Sequence, residues 1–553
     1  MRAASDLTVA EAVGAALAEA GVDQVFGVLG SGNFAVTRAM KRHGVGWVPA
    51  RHEGGAVVMA DVYSRLTGTV AACSVHQGPG FTNCITGLTE AAKARTPLLV
   101  LAADTADSAV KSNFRVDQAA IAAAVGALHV RLEWPEMAVV DALRAHRLAI
   151  SERRPVVLSM PLDVQAAVAS EPHVSVAPLL IAPPNPTTVQ LATAAAFVAA
   201  AEKPLVIAGR GAARAASRGP IEEFAEAAGA LVATSAAAHG LFAGSPWSLG
   251  LSGGFASPTF AGLIRDADVV ISFGCSLNMW TTRHGRLLSP DAIVIQVDLE
   301  PAAFLDRKPP VLGLVGDVVA VAEALTAELA KLPSRAPKWR VSALAERLEK
   351  GGWSHEPLVD ETANGHIDPR TLSILLDRIL PAERTLAIDS GHFMGWPAMY
   401  MGVPDVSGFV FTQAFQSIGL GLAGAIGAAV ARPDRLTIAA VGDGGLLMGI
   451  SELETAVRLG LSLLVVCYND AAYGAEVHHF GPQGMPVDIV RFPETDIAAM
   501  GRGAGAQGVT VRSPEDLDAV RSWVEAGAHG VFVIDAKVVP TVVGEWLPEA
   551  FGH

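Results

Sequence analysis

The stretch VGDGGLLM, residues 441–448, closes an apolar run, LTIAAVGDGG, and holds Asp443 between Gly442 and Gly444. An apolar run that stops at a glycine-flanked acid has the pattern of a buried strand in a parallel sheet, where ligands meet the carboxyl end. A second such run, LSLLVVCYND, stops at Asn469 and Asp470, so two aspartates 27 positions apart, 443 and 470, sit at matching strand ends. The segment after Gly445, LLMGISELETAVRLG, has helical periodicity, which places free backbone N–H groups and a positive helix end beside Asp443. Amides attract an anion and carboxylates attract a cation. A phosphate carrying Mg²⁺ satisfies both, whereas a lone GDG would be an ordinary helix-capping turn.

Short apolar, β-branched runs alternate with Ala-rich helical patterns through most of the chain, among them QVFGVLG, TPLLVLAAD, KPLVIAGRG, ADVVISFGC, RTLAIDSG and GVFVIDAKV. Fully apolar strands separated by helices predict an α/β protein with parallel sheets covered on both faces. Proline-rich breaks at 176–188 and 332–368 divide the series into three doubly wound units, expected at 1–175, 188–332 and 365–553. The first and third share a similar strand–helix rhythm. Strand ends carry Gly30-Ser31-Gly32, His52-Glu53, His76-Gln77-Gly78 and Asn113 in the first unit, and Asp389-Ser390-Gly391-His392 in the third. The middle unit offers mainly glycine, at 209–211 and 250–254.

The 553 residues are 51% hydrophobic and 17% charged, which excludes a disordered chain. A net charge of −14 with no basic cluster argues against nucleic acid as a partner. Cys73, Cys84, Cys275 and Cys467 form no CxxC pair and read as buried thiols of a cytoplasmic protein. The N-terminus carries Asp6, Glu11 and Glu19 on a helical period, unlike a signal peptide. Residues 406–431 carry no charge, but Thr412, Gln413, Gln416, Ser417 and five glycines break the run. A strand, a loop and a buried helix are expected there, not a membrane span.

GDGG followed by the later ND pair resembles the signature of thiamine-diphosphate-dependent enzymes. The segment RHEGGAVVMADVYSRLTGTVAACSVHQGPGFTNCITGLTEA, residues 51–91, is similar to the first-domain motif of the acetolactate synthase large subunit and benzoylformate decarboxylase-like group. The resemblance extends over nearly the whole chain. It implies pyrimidine-binding, Rossmann-like middle and diphosphate-binding domains, in that order. It further implies that Asp443, Asp470 and the backbone carbonyl of Ala472 hold Mg²⁺ on the diphosphate, within the loop Gly442, Gly444 and Gly445. The family usually has Asn where this chain has Asp470.

The same resemblance assigns the remaining candidates. Thiamine chemistry starts with loss of the thiazolium C2 proton to the cofactor's own 4′-imino group, a tautomer that needs a carboxylic acid at the pyrimidine N1′. Glu53 matches that acid. In FTQAFQSIGLGLAGAIGAA, Ile418 matches the bulky residue that bends the cofactor, and Gln416 supplies a carbonyl to the 4′-amino group. Ser390, Gly391 and His392 match diphosphate contacts. His76 matches a proton-transferring histidine of benzoylformate decarboxylase-like members, where Ser31 also has a counterpart. Asn113 falls where carboligating members have Gln. Glu476 matches a substrate-facing glutamate of pyruvate decarboxylases. Helical spacing sets His479 on the same face as Glu476, and His478 and His284 read as surface or structural.

Biosynthetic acetolactate synthases carry an arginine-bearing GVRFDDRVTG-like segment, and here GCSLNMWTTRHG (274–285) has Trp280 at the arginine position. They also have tryptophan where His479 stands. A site that selects a second 2-oxo acid by its carboxylate wants that arginine. The expectation is therefore an acetolactate synthase-like enzyme that makes or breaks the C–C bond beside the carbonyl of a 2-oxo acid or 2-hydroxy ketone. A genuine acetolactate synthase, a benzoylformate- or pyruvate-type decarboxylase, and a catalytically silent cofactor-binding paralogue are the alternatives; Glu53 speaks against the last. The glycines at 209–211 and 250–254 resemble flavin-contacting loops, but without the arginine segment FAD is not expected. Because the family shares each cofactor between two subunits, a homodimer or homotetramer is expected.

Overall fold

The computed structural model describes residues 7–170, 182–304, 309–333 and 339–550. Among these residues eighteen strands make three six-stranded sheets, and every strand pair in them is parallel. The first contains β1 (Gln24–Gly27), β2 (Gly46–Pro49), β3 (Ala71–Val75), β4 (Leu98–Asp104), β5 (Leu128–Arg131) and β6 (Pro155–Pro161), in the order β2-β1-β3-β4-β6-β5. The second contains β7 (Pro204–Ala208), β8 (Leu231–Thr234), β9 (Ser248–Leu251), β10 (Val269–Phe273), β11 (Ile293–Asp298) and β12 (Leu312–Val315). Its order, β12-β11-β10-β7-β8-β9, is that of the Rossmann sheet.

The third sheet contains β13 (Arg384–Ile388), β14 (Phe409–Phe411), β15 (Leu436–Gly442), β16 (Leu463–Asn469), β17 (Gln507–Val511) and β18 (Val531–Lys537), in the order β14-β13-β15-β16-β18-β17. Counted from its own first strand, this order is the same as in the first sheet, which accounts for the shared rhythm in the sequence. The charge-free segment 406–431 becomes β14, a loop and the buried helix Gly421–Ala431. No helix among the described residues is long and apolar enough to cross a membrane. All four cysteines are buried and free. Both proline-rich breaks lie partly outside the described residues, at 176–181 and 334–338.

A helix pair packs between the first and third sheets. Helix Glu53–Thr67 starts at His52, whose Nδ1 accepts from the Gly54 N–H at 3.0 Å, and stops at Gly68, where φ is +76°. It lies along helix Gly421–Ala431 so closely that a Cβ on Gly427 would stand 2.4 Å from the Met59 carbonyl oxygen. Gly427→Ala is thus expected to destabilise the protein by about 1–3 kcal/mol, the range for overpacking a tight core. The midpoint of denaturant unfolding measures this; an unchanged midpoint would mean that the two helices can part at no cost.

Candidate active site

Register explains why two aspartates far apart in the chain become neighbours. β15 and β16 are adjacent and parallel, with Gly442 opposite Tyr468, so Asp443 and Asp470 leave the same edge of the sheet side by side. Asp443 opens helix Asp443–Gly449 and is 7% exposed. Burial raises its carboxyl to about 6. Burial, and then the charge of Asp443, raises Asp470 to about 7. Two carboxylates that both resist ionisation at one place favour a cation between them.

The turn after β16 is held in an unusual shape. Ala471 has φ +53°, and its N–H donates to Asn469 Oδ1 at 3.1 Å, while the Ala472 N–H donates to Asp470 Oδ1 at 3.2 Å. Asn469 is anchored in turn by its Nδ2 donating to the buried Asp535 at 2.9 Å. A Cβ on Gly444 would meet the Tyr473 ring at 2.7 Å, and one on Gly474 would meet Asp470 Oδ2 at 2.2 Å. A larger residue at either place would have to displace the Tyr473 ring or the Asp470 carboxylate.

Ser390 and Gly391 follow β13, and the His392 ring lies behind them, 8% exposed. His392 Nε2 accepts from the Gly544 N–H at 2.9 Å, and its ring faces His478 at 4.3 Å and Trp396 at 5.9 Å. Burial, and then His478, lowers its pKa to about 3, so it is a neutral acceptor. Asp389, which the sequence placed at this strand end without a role, is fully buried and accepts the N–H groups of Ser390, Gly419 and Leu420. It ties β13 to the loop carrying Gln416 and Ile418. Gln416 has φ +63°, a left-handed conformation that a non-glycine residue keeps only when its surroundings impose it. Ile418 is half-buried and stands outside the buried core.

A cavity of about 1370 Å³ lies over these strand ends and continues across the middle sheet. Ser390, Gly391, His392, Gln416, Ile418, Gly442, Asp443, Gly444, Gly445, Asp470, Ala472 and Glu476 all line it. From the middle unit, Gly211, Ser252, Gly254 and Trp280 do the same. His479 is not in the lining; it packs on Phe480 and contacts Gln483, because helix Gly474–Phe480 ends there and turns into Gly481–Gln483.

Glu53, Ser31, His76 and Asn113 form a second cluster at the strand ends of the first sheet and do not line that cavity in the same chain. Glu53 is half-buried and accepts from Asn83 Nδ2 at 2.9 Å. The Gly32 N–H donates to His76 Nδ1 at 3.2 Å, fixing the loop that presents exposed Ser31. Phe114, next to the exposed Asn113, packs edge-on against the His76 ring at 5.4 Å. Sequence reading missed Glu452, 2% exposed, whose Oε1 accepts the N–H groups of Arg51 and His52 at 3.1 and 2.8 Å. It fixes the backbone that delivers Glu53, and its only sequence signal is its place nine residues after Asp443.

Among the described residues no three His, Cys, Asp or Glu side chains converge as a metal-binding group. Two carboxylates and a main-chain carbonyl at a glycine-walled helix start are the donors that a magnesium diphosphate takes, since Mg²⁺ fills its shell with phosphate oxygens and water. The residues present fit that group.

Comparison with known proteins agrees with the geometry. Residues 7–125 match the model of the thiamine pyrophosphate enzyme N-terminal TPP binding domain, 191–325 its central domain, and 389–536 its C-terminal TPP binding domain. The chain is 32% identical to a probable 2-ketoarginine decarboxylase of Pseudomonas aeruginosa, over 97% of this chain and 95% of that one. It is 28% identical to the acetolactate synthase isozyme 3 large subunit of Escherichia coli, over 93% and 91% of the two chains. It is 27% identical to a sulfoacetaldehyde acetyltransferase of Alcaligenes xylosoxydans, over 90% and 87%.

Proposed function

The chain belongs to the thiamine pyrophosphate enzymes, and from that membership we propose that it makes or breaks the C–C bond beside the carbonyl of a 2-oxo acid or 2-hydroxy ketone, with Mg²⁺ as the second cofactor. The observation that carries this reading is the pair Asp443 and Asp470, the first buried and the second half-buried, side by side at a glycine-rich helix start inside a large cavity. Thiamine diphosphate, when bound, supplies a nucleophilic thiazolium carbon that adds to a carbonyl and stabilises the negative charge left when the neighbouring bond breaks.

The residues of this chain would divide the work as follows. Asp443, Asp470 and the Ala472 carbonyl hold Mg²⁺, and the amides of Gly444 and Gly445 face the diphosphate with Ser390 and His392. The Gln416 carbonyl and Ile418 hold the two rings together. Glu53 keeps a proton at the pyrimidine nitrogen. His76 and Glu476 move protons at the substrate oxygen and the carbon left by cleavage. Ser31 and Asn113 orient the substrate around them, whereas His479, turned toward Gln483, takes no part. Because Glu53, His76, Ser31 and Asn113 stand apart from the cavity of their own chain, they serve the cofactor of a second copy, which makes the working form a homodimer or a tetramer of two such dimers. A cytoplasmic location and three functional domains at 1–175, 188–332 and 365–553 complete the reading.

Trp280 lines the cavity where an acetolactate synthase would place arginine, which favours decarboxylation, or ligation to an acceptor without a carboxylate, over acetolactate synthesis. A panel containing the 2-oxo acids pyruvate, benzoylformate and 2-ketoarginine and the 2-hydroxy ketone acetoin, incubated with thiamine diphosphate and Mg²⁺, tests this by mass spectrometry of the products. Turnover of at least one is expected, and inactivity toward every 2-oxo acid and hydroxyketone tried would refute the reading. FAD is expected to be dispensable. Protein purified without it should lack a yellow chromophore and show full activity, while strict dependence on added FAD would restore the acetolactate synthase alternative.

A further inference from the structure

The first domain reaches into the third through a buried set of charges that the chemistry above does not use. Asp61 and Arg65 lie one turn apart on helix Glu53–Thr67, and Glu90 lies on helix Ile85–Ala94. Arg65 donates from Nε to Asp61 Oδ1 at 3.0 Å, and from one terminal nitrogen to Asp61 Oδ2 and to Glu90 Oε1, the latter at 2.9 Å. Its other terminal nitrogen donates to the Phe411 carbonyl at 3.3 Å. The side chains of Asp61 and Glu90 are fully buried. Glu90 then accepts two main-chain N–H groups from the third domain, Ala414 onto Oε1 at 3.1 Å and Phe415 onto Oε2 at 2.6 Å.

Those two amides immediately precede Gln416, the residue at φ +63°, and lead to Ile418. On the far side of the loop, Asp389 takes the N–H groups of Gly419 and Leu420. The loop is therefore clamped at both ends by buried carboxylates on different domains. A buried ion pair is a poor source of stability, since well-packed apolar residues do as well. Apolar side chains could not accept two backbone N–H groups and hold a left-handed residue in place.

We propose that Glu90, itself held by Arg65, which Asp61 anchors in turn, is a positioning residue that sets loop 412–418 so that the Gln416 carbonyl and Ile418 meet the rings of thiamine diphosphate. This rests on the reading of Gln416 and Ile418 given above. The loop would touch the rings and not the diphosphate, and that separates positioning from general damage.

The test is calorimetric titration of the full-length protein, in Mg²⁺, with thiamine diphosphate and with inorganic pyrophosphate. Glu90→Ala is expected to weaken thiamine diphosphate by at least about 10-fold, the scale for losing a buried charged acceptor, and to leave pyrophosphate affinity unchanged. Glu90→Gln, which keeps the volume and one acceptor, should show a smaller loss of the same kind, and it carries the test if the alanine variant does not fold. Unchanged preference for thiamine diphosphate over pyrophosphate in a folded Glu90 variant would overturn the proposal. If the wild-type protein itself shows no preference, then the ring-contact reading of the loop fails instead.

Discussion

Glu53→Gln should cut turnover by at least ~10²-fold, the lower range for a group that holds or moves a proton, while thiamine diphosphate still binds. The side chain stays close in size and can still meet Asn83, whose Nδ2 lies 2.9 Å from Glu53 Oε2 in the wild type. The charge that keeps a proton at the pyrimidine nitrogen is lost, and with it the exchange of the thiazolium C2 proton in D₂O. Near-normal turnover or exchange would dismiss Glu53 from this role. The separation of Glu53 from the cavity of its own chain adds a sharper outcome. Glu53→Gln and Asp443→Ala, each inactive alone, should regain activity when co-expressed, because every mixed dimer then has one intact site. Mixed dimers that form and stay inactive would place both residues in one chain's site.

The second large effect concerns the aspartate pair. Asp443→Ala is expected to abolish thiamine diphosphate binding, and a chelator should release the cofactor from the wild-type protein, since the phosphates would then face two uncompensated carboxylates. Asp470→Asn should keep cofactor binding and change the preference among Mg²⁺, Mn²⁺ and Ca²⁺. It should also raise the thermal midpoint of the metal-free protein, because one of two neighbouring carboxylates that resist ionisation, raised to about 6 and about 7, is gone. If Asp470→Ala binds cofactor normally, Asp470 only braces its turn and the metal site is drawn wrongly.

Much of this was legible in the sequence because it depends on local pattern. Apolar runs closed by Gly442-Asp443 and Asn469-Asp470 fixed strand, edge and neighbour, and the β15–β16 register did the rest. The charge-free stretch 406–431 resolved itself because polar and glycine residues broke it between the end of the strand and the start of the helix. What depends on docking was not legible. Glu90 reads as one acid in an Ala-rich helix, and only the packing of two domains brings the amides of Ala414 and Phe415 to it. Glu452 and Asp389 are silent for the same reason, as their partners are main-chain groups with no signature. Helical spacing put His479 beside Glu476, but a seven-residue helix that tightens at Gly481 turns His479 toward Gln483 and gives His392 the ring of His478.

The seam between helices Glu53–Thr67 and Gly421–Ala431 has a consequence for how the chain is made. One continuous apolar core contains Phe26, Val57 and Met59 from the first domain and Ile426, Ala439 and Val465 from the third, whereas the middle domain has cores of its own. Translation delivers the first of these helices some 350 residues before the second (67 to 421). At roughly 5–20 residues per second, the nascent first domain waits on the order of 20–70 s without the helix that covers Val58, Met59 and Val62 at Gly424 and Gly427, while the ribosome completes the middle domain. That interval leaves apolar surface open to aggregation, and a holding chaperone would act there.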